Sequence, residues 1–350
     1  MAFRTLWGSR TNQILCKQTE AKMISVVDSH TEGEPTRVVI AGGPEFKTST
    51  FADRWEEFRA NCDDFRRTVI LEPRGYEAMV GALLCDPDAE DCAAGIFFFN
   101  NHGYLDMCGH GTIGVAATLA HLKRLSLGKS KFQTPAGIID VDLLTPNEVA
   151  ITNVGSYQLH ADVVVQVPGH GELVGDIAYG GNWFFNVKSP VELSLTNGDQ
   201  LQTLAEAIRA SLLKTKFDGV DSSRIDHIQF FTPDYSNGHS DNFVVCPGGE
   251  FDRSPCGTGT SSLLACLASR DQLSVGQPWR QTSLTGGKFS ATYQVSGTVP
   301  VGEPETGVGT IDNPVIPTIT GRAFVCSEAN LIQNPADPYR LGNEIKWGQA

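Results

Sequence analysis

Basic residues are scarce in this sequence: 27 Lys and Arg stand against 40 Asp and Glu, a formal net charge of −13. Binding a polyanion needs a basic surface, so this balance argues against a nucleic-acid partner. It does not argue against a small anion, because the backbone N–H groups at a helix start can hold one carboxylate locally. Long apolar runs are missing too. Stretches such as Ala93–Phe99 fall far short of the roughly 20 residues that cross a bilayer as a helix. The nine cysteines (16, 62, 85, 92, 108, 246, 256, 266 and 326) are odd in number and scattered, with no Cys-x-x-Cys pair. The eight histidines show no metal-ligand spacing. This is neither a secreted disulfide framework nor a recognisable metal site, and a reducing, cytoplasmic setting is expected.

What is present is an ordinary globular composition: 41% hydrophobic and 19% charged over 350 residues. At that length two domains are the natural expectation. Residues 1–22 set Arg4, Arg10, Lys17 and Lys22 against Glu20 alone. They lack the apolar centre of a secretory signal and read as a leader or tag-like extension.

Two segments repeat each other. Cys108-Gly-His-Gly-Thr112 runs into Ile113-Gly-Val-Ala-Ala-Thr-Leu-Ala120, and Cys256-Gly-Thr-Gly-Thr260 runs into Ser261-Ser-Leu-Leu-Ala-Cys-Leu-Ala268; aligned on the cysteine, 7 of 13 positions are identical. Each reads as a glycine-rich turn entering an Ala/Leu-rich helix, so each cysteine should sit at a helix N-terminus. There the free N–H groups and the macrodipole favour thiolate. A lone cysteine capping a core helix is usually inert packing; repetition of the whole turn points instead to two bases facing one substrate. One thiolate could remove a Cα proton while the other thiol delivers one to the opposite face, inverting the stereocentre. The N–H groups of Gly109-His110 and Gly257-Thr258 suit a carboxylate and the charge that grows on it.

Asp252 has two readings, a carboxylate for a substrate ammonium or a turn-former. His110 reads equally as a substrate contact or as part of its loop, and His227, in a β-rich run, as a core histidine.

The remaining pattern is strand-rich. Met23–Val27 and Thr36–Ile40 are expected strands flanking a polar turn, Asp28–Pro35; residues 53–67 are an expected surface helix. Further strands are expected at Val69–Gly75, Gly95–Phe99 and Ile138–Leu143. The second half repeats the order, with strands in 176–185, a helix over 201–215, and strands at 225–231 and 242–245. Duplication therefore predicts two similar units: 23–170, which the C-terminal tail 335–350 could join, and 171–334. Each is expected to be a mixed α/β (α+β) unit with curved sheets around its cysteine helix.

Asp28-Ser-His-Thr-Glu-Gly-Glu-Pro-Thr-Arg37, Glu72-Pro-Arg-Gly75, Met107-Cys-Gly-His-Gly111 and Asp252-Arg-Ser-Pro-Cys-Gly-Thr-Gly259 together resemble the proline racemase family over roughly residues 23–345. The resemblance implies a diaminopimelate epimerase-like fold of two pseudo-symmetric halves and two-base chemistry with neither cofactor nor metal. Cys108 and Cys256 match the family's catalytic pair. Gly109, His110, Asp252, Gly257 and Thr258 match its substrate contacts, as does His227, more weakly, through Ile225-Asp-His-Ile228. The expected partner is a small amino acid, with no nucleic acid or membrane, and a homodimer is compatible with this.

Within the family the sequence is most similar to the branch that converts trans-4-hydroxy-L-proline to cis-4-hydroxy-D-proline. Relatives that dehydrate trans-3-hydroxyproline carry threonine at one catalytic position; here both are cysteine. Proline racemases present phenylalanines at positions matched here by Val80 and Cys246, and smaller residues leave room for a ring hydroxyl. Thr285-Gly-Gly-Lys-Phe289 departs from the Gly-Ser-x-Phe common in the hydroxyproline branch. The rival readings are a proline racemase using the same residues and, from another class, a thiol redox or zinc-binding protein.

Overall fold

The computed structural model describes residues 21–300 and 310–343. The expected leader up to residue 20, Cys16 with it, and positions 344–350 of the expected tail lie outside the described residues. In chain order the first elements are β1 (Lys22–Thr31), β2 (Glu34–Ala41), α1 (Phe51–Asn61), α2 (Asp63–Ile70), β3 (Val80–Cys85), β4 (Ala94–Phe99), β5 (Tyr104–Leu105) and α3 (Gly109–His121). There follow β6 (Gly128–Thr134), β7 (Gly137–Thr145), β8 (Glu148–Thr152), β9 (Tyr157–Val167), β10 (Gly171–Tyr179), β11 (Trp183–Lys188) and α4 (Gly198–Leu212). The last are β12 (His227–Asp234), β13 (His239–Val245), α5 (Gly257–Ser269), β14 (Trp279–Ser283), β15 (Lys288–Val295), β16 (Thr298–Pro300), β17 (Thr310–Asp312) and β18 (Val315–Gln333).

The strands form two rings that share one member. β1, β2, β3, β4, β6, β7, β8 and β18 are hydrogen-bonded neighbours in that order, and β18 returns to β1 to close the first ring. β18 then leads through β15, β14, β13, β12, β11 and β10 to β9, and a bridge between Ser156 and Val315 brings the start of β9 back to β18. The length of β18 makes this sharing work. Its first residues pair with β8 on one side and β15 on the other, while Ala323–Gln333 pairs with β1.

One helix fills each ring. Gly109–Leu119 of α3 and Gly257–Leu267 of α5 are buried without a break. Apart from His110 and Cys266, both are built from Gly, Ala, Thr, Ser and aliphatic residues on every side, the composition of a helix with no solvent face. α1, α2 and the outward Phe97 and Phe99 of β4 form a separate core outside the first ring, while Ile96 and Phe98 point inward to α3. That alternation is the two-residue period of a strand buried on both faces. α4 covers the second ring from outside. Among the described residues no helix is long and apolar enough to cross a membrane.

Three local expectations are corrected. The polar stretch 28–35 is mostly strand: only Glu32 and Gly33, at φ +47° and +100°, make the turn. Its Ser29, Thr31 and Glu34 are buried, so the hydroxyl and acid groups that look like a loop line an inward face. The helix over 53–67 is two helices, parted at Cys62. The strand expected at Val69–Gly75 is the end of α2 and a turn; Arg37 donates to Val69 O at 2.9 Å, and Arg74 to Tyr339 O at 2.6 Å. Its β-branched residues suggested a strand, but packing against the 337–343 segment decided otherwise.

Candidate active site

The two cysteine helices meet end to end. α3 and α5 have both bounds offset by the same 148 positions, and their first residues touch: a Cβ on Gly109 would lie 2.7 Å from Gly257 Cα, and one on Gly257 2.9 Å from Gly109 Cα. Only hydrogen fits at either position. Cys108 and Cys256 are the N-cap residues of these helices, each about 6% exposed. The apposed helix starts aim two sets of free N–H groups and two positive dipole ends at one small volume.

The two caps differ in detail. Cys108 is extended at φ −143° and its sulfur accepts from Gly111 N at 3.4 Å. Cys256 sits at φ +62°, a conformation that costs a non-glycine residue about 1–3 kcal/mol, and its side chain makes no such cap bond. Equivalent residues reach back to each sulfur: His110 Nδ1 lies 3.5 Å from Cys108 Sγ, and Thr258 Oγ1 3.6 Å from Cys256 Sγ. Asn182 donates to Thr258 Oγ1 at 3.2 Å, leaving the threonine proton free for the sulfur.

Asp252 makes the turn contact and faces the opposite cysteine loop. Ser254 N donates to its Oδ1 at 2.8 Å, closing the turn before Cys256, while Oδ2 stands 4.0 Å from His110 Nδ1 of the other half. His227 is set further back. Its Nδ1 is 2.7 Å from Asp226 Oδ1, and its ring lies 4.8 Å from that of Phe184, which packs in one buried cluster with Val244, Cys246 and Cys256. Val80 opens β3 in the core cluster that contains Cys108. The structure thus gathers Cys108, Cys256, Gly109, Gly257, His110, Thr258 and Asp252 into one centre. Cys246 borders it, Val80 shares only the wider core cluster with Cys108, and His227 lines an adjoining cavity of ≈ 270 Å³ with Asn182, His102 and Pro247.

Sequence reasoning missed Glu34. It begins β2, is buried, and its Oε2 accepts from Arg253 N at 2.6 Å, tying the first half to the loop that carries Asp252. Burial, with the nearby Asp252 charge second, pushes its carboxyl well above the usual carboxylate range, against the pull of the Arg253 N–H and guanidinium. The available signal was the two-residue alternation of polar groups across the hairpin, which the polar-turn reading hid.

Burial also reverses the expected shift of the thiols. It pushes Cys108 well above the ordinary thiol range, outweighing the Gly111 N–H that pulls the other way. Cys256 rises for the same reason, reinforced by Asp252 beside it. Burial likewise lowers His110, favouring the neutral ring, although Asp252 opposes the shift. In the closed centre both thiols are therefore protonated, and ionising either one requires a compensating positive charge. The eight described cysteines are all free thiols. Among the described residues no three His, Cys, Asp or Glu side chains are grouped to hold a metal ion.

A profile of the family described as proline racemase matches residues 26–344. A 4-hydroxyproline 2-epimerase of Roseibium alexandrii is 50% identical over 319 residues, covering 91% of this chain and 93% of its own. That of Chromohalobacter salexigens is 44% identical over 322 residues, covering 92% and 98%. Among solved structures, a hydroxyproline epimerase from Agrobacterium vitis with bound trans-4-OH-L-proline matches with a TM-score of 0.81 at 24% identity, covering 93% of this chain and 95% of that one. A phenazine biosynthesis protein of the PhzF family from Bacillus anthracis matches at 0.58 and 16% identity, covering 88% and 99%. The fold is the diaminopimelate epimerase-like one.

Two outcomes are expected from this geometry. Gly109→Ala forces the helix starts apart and should lower kcat by roughly 100-fold, the usual result of misplacing reacting groups by about 1 Å. A turnover assay beside a thermal melt checks it, and full activity with Ala at 109 would show that the contact is dispensable. Iodoacetamide modification of Cys108 and Cys256 in the ligand-free protein should keep rising about tenfold per pH unit through the alkaline range, because only thiolate reacts. A plateau near neutrality would mean that the helix ends outweigh burial.

Proposed function

As the chain belongs to the proline racemase family, we propose that it is an isomerase that epimerises 4-hydroxyproline at Cα, interconverting the trans-4-hydroxy-L and cis-4-hydroxy-D forms. The observation that carries this reading is the apposition of two cysteine-capped helix starts, in a chain half identical to a 4-hydroxyproline 2-epimerase along nearly its whole length.

The substrate carboxylate would bind the facing N–H groups of Gly109-His110 and Gly257-Thr258, where the joined dipole ends stabilise it and the enolate charge that develops during proton removal. Asp252 would take the ring ammonium, and Glu34 holds the loop that aims it through Arg253 N. Once a bound ammonium offsets the local negative charge, one cysteine can ionise and serve as base. It takes the Cα proton on one face while the thiol of the other cysteine gives its proton to the opposite face. The first cysteine ends protonated and the second as thiolate, so the enzyme leaves each turnover with the protonation states of the pair exchanged. No cofactor enters this scheme; the ring's secondary amine does not form the ordinary Schiff base of a primary amine. In the same reading the two strand rings are the two halves of the duplicated unit, with β9 added to the second and β18 shared by both, and a dependence on reduced thiols supports a cytoplasmic setting.

Cys108→Ser and Cys256→Ser should each abolish epimerisation in a folded protein, since a hydroxyl yields almost no base near neutral pH. In D2O the wild-type product should carry deuterium at Cα, and product that keeps its original hydrogen throughout is the result that removes the two-base scheme.

Ring specificity is tested by kcat/KM for trans-4-hydroxy-L-proline and L-proline, on the wild type and on Val80→Phe. The wild type should strongly prefer the hydroxylated ring. The added phenyl should cut that activity about tenfold to a hundredfold, the effect of leaving a buried hydroxyl without a partner. A wild-type preference for proline would make the enzyme a proline racemase with the same two-cysteine chemistry.

A further inference from the structure

His102 lies six residues before Cys108, and Glu250 six residues before Cys256, so the two hold the same place in the duplicated unit. In the folded chain they meet. His102 Nε2 stands 3.3 Å from Glu250 Oε2, and Asn101 Nδ2 donates to Glu250 Oε1 at 2.7 Å. Gly109 and Gly257 are a second pair of equivalent residues in contact. Equivalent residues that touch each other lie on the two-fold axis that relates their units. The pseudo-two-fold of this chain therefore passes through both contacts, from the buried glycines at the helix starts to a part-exposed His102 and Glu250 at the surface.

The loops bearing these side chains are each fixed within their own half. Arg66 Nη1 donates to the carbonyls of Asn100 and Asn101 at 2.7 Å, and Asn100 Oδ1 accepts from His102 N and Gly103 N at 2.9 Å. Across the axis, Arg209 Nη2 donates to Cys246 O and Gln202 Nε2 to Gly249 O, both at 2.8 Å, and Cys246 N bonds Glu250 O at 2.8 Å. Gly248, at φ +102°, leaves bare backbone where the His102 ring rests; a Cβ there would overlap it. Asn100, His102, Gly103 and Pro247 also border the cavity that contains His227 and Asn182. These loop–loop bonds differ in kind from those of β18, which joins the rings by continuous backbone ladders. The Glu250 contacts are made by side chains alone and can break without disturbing either ring.

We propose that Glu250, gripped by Asn101 and His102 across the pseudo-two-fold axis, is a surface latch that, beside the buried Glu34–Arg253 tie, holds the two halves closed over Cys108 and Cys256. The latch deepens the epimerase reading, because a substrate enclosed by both helix starts must enter and leave through an opening between the halves. These three residues are positioning residues: they govern how often the centre opens and take no part in proton transfer.

The test uses the intact, ligand-free protein and the thiols as reporters. Iodoacetamide modification is followed by peptide mass spectrometry at Cys108 and Cys256, with buried Cys266 and exposed Cys326 as internal controls. Glu250→Ala should accelerate modification of Cys108 and Cys256 about tenfold to a hundredfold, as loss of charge-assisted hydrogen bonds implies, while Cys266 and Cys326 keep their wild-type rates. Asn101→Ala, which leaves the Glu250 charge in place, should shift the same two thiols in the same direction by less. Unchanged Cys108 and Cys256 rates in both variants would overturn the latch, as would equal acceleration at Cys266, which would mean general loosening. If the variants show this thiol pattern while the wild type does not epimerise hydroxyproline, the functional reading falls and the latch stands.

Discussion

Everything around the centre is organised by one close contact, Gly109 against Gly257 at the starts of α3 and α5. Two helix N-termini brought together repel, since each carries about half a positive charge. Such an arrangement is stable only when the rest of the molecule holds it. Here each helix is sealed inside a ring of strands, and β18 runs through both rings as one continuous element. The repulsion is also the use of the contact, because an anion placed there is attracted by both ends together. Glycine at both positions is what lets the backbones approach closely enough for their N–H groups to share one ligand.

Enclosure has a chemical cost. The apolar packing that fixes the helices desolvates the sulfurs, and burial pushes both thiols up rather than down. A resting site with neutral thiols is protected from oxidation and alkylation, which act on thiolate. It becomes basic when a ligand supplies the missing positive charge, so ionisation is coupled to occupancy. The buried acids fit this scheme: burial pushes the Glu34 carboxyl up, while Asp252 faces His110 and, by proposal, the ammonium of the substrate.

The duplication is close in scaffold and broken in detail. Helix bounds, N-cap cysteines and the first glycines repeat at a constant offset, whereas His110 answers to Thr258, an extended Cys108 to a positive-φ Cys256, and Tyr104 to Asp252. Symmetry suits the part of the task that is symmetric, offering a base to either face of one carbon. The asymmetric substituents suit the rest of the task, because a ring with one ammonium presents different groups to the two halves. His102 and Glu250 show the same division at the surface, equivalent positions filled by complementary residues so that the self-contact attracts.

The sequence alone determined the helix starts and their cysteines, because capping, glycine-rich turns and Ala/Leu helices are local features, and a repeat at constant offset is visible without any coordinates. It also determined the family, since the cysteine turns carry unusually specific motifs. Tertiary structure decided what depends on neighbours distant in the chain. It turned Ser29, Thr31 and Glu34 from an apparent polar loop into an inward strand face, and it broke the 53–67 helix at Cys62. It bent Val69–Gly75 away from strand by packing it on the 337–343 segment. It reversed the expected thiol shift and paired Glu250 with Asn101 and His102. Each of these is a matter of burial or of long-range contact, and desolvation is a property of the space around a residue, which no local pattern of side chains specifies.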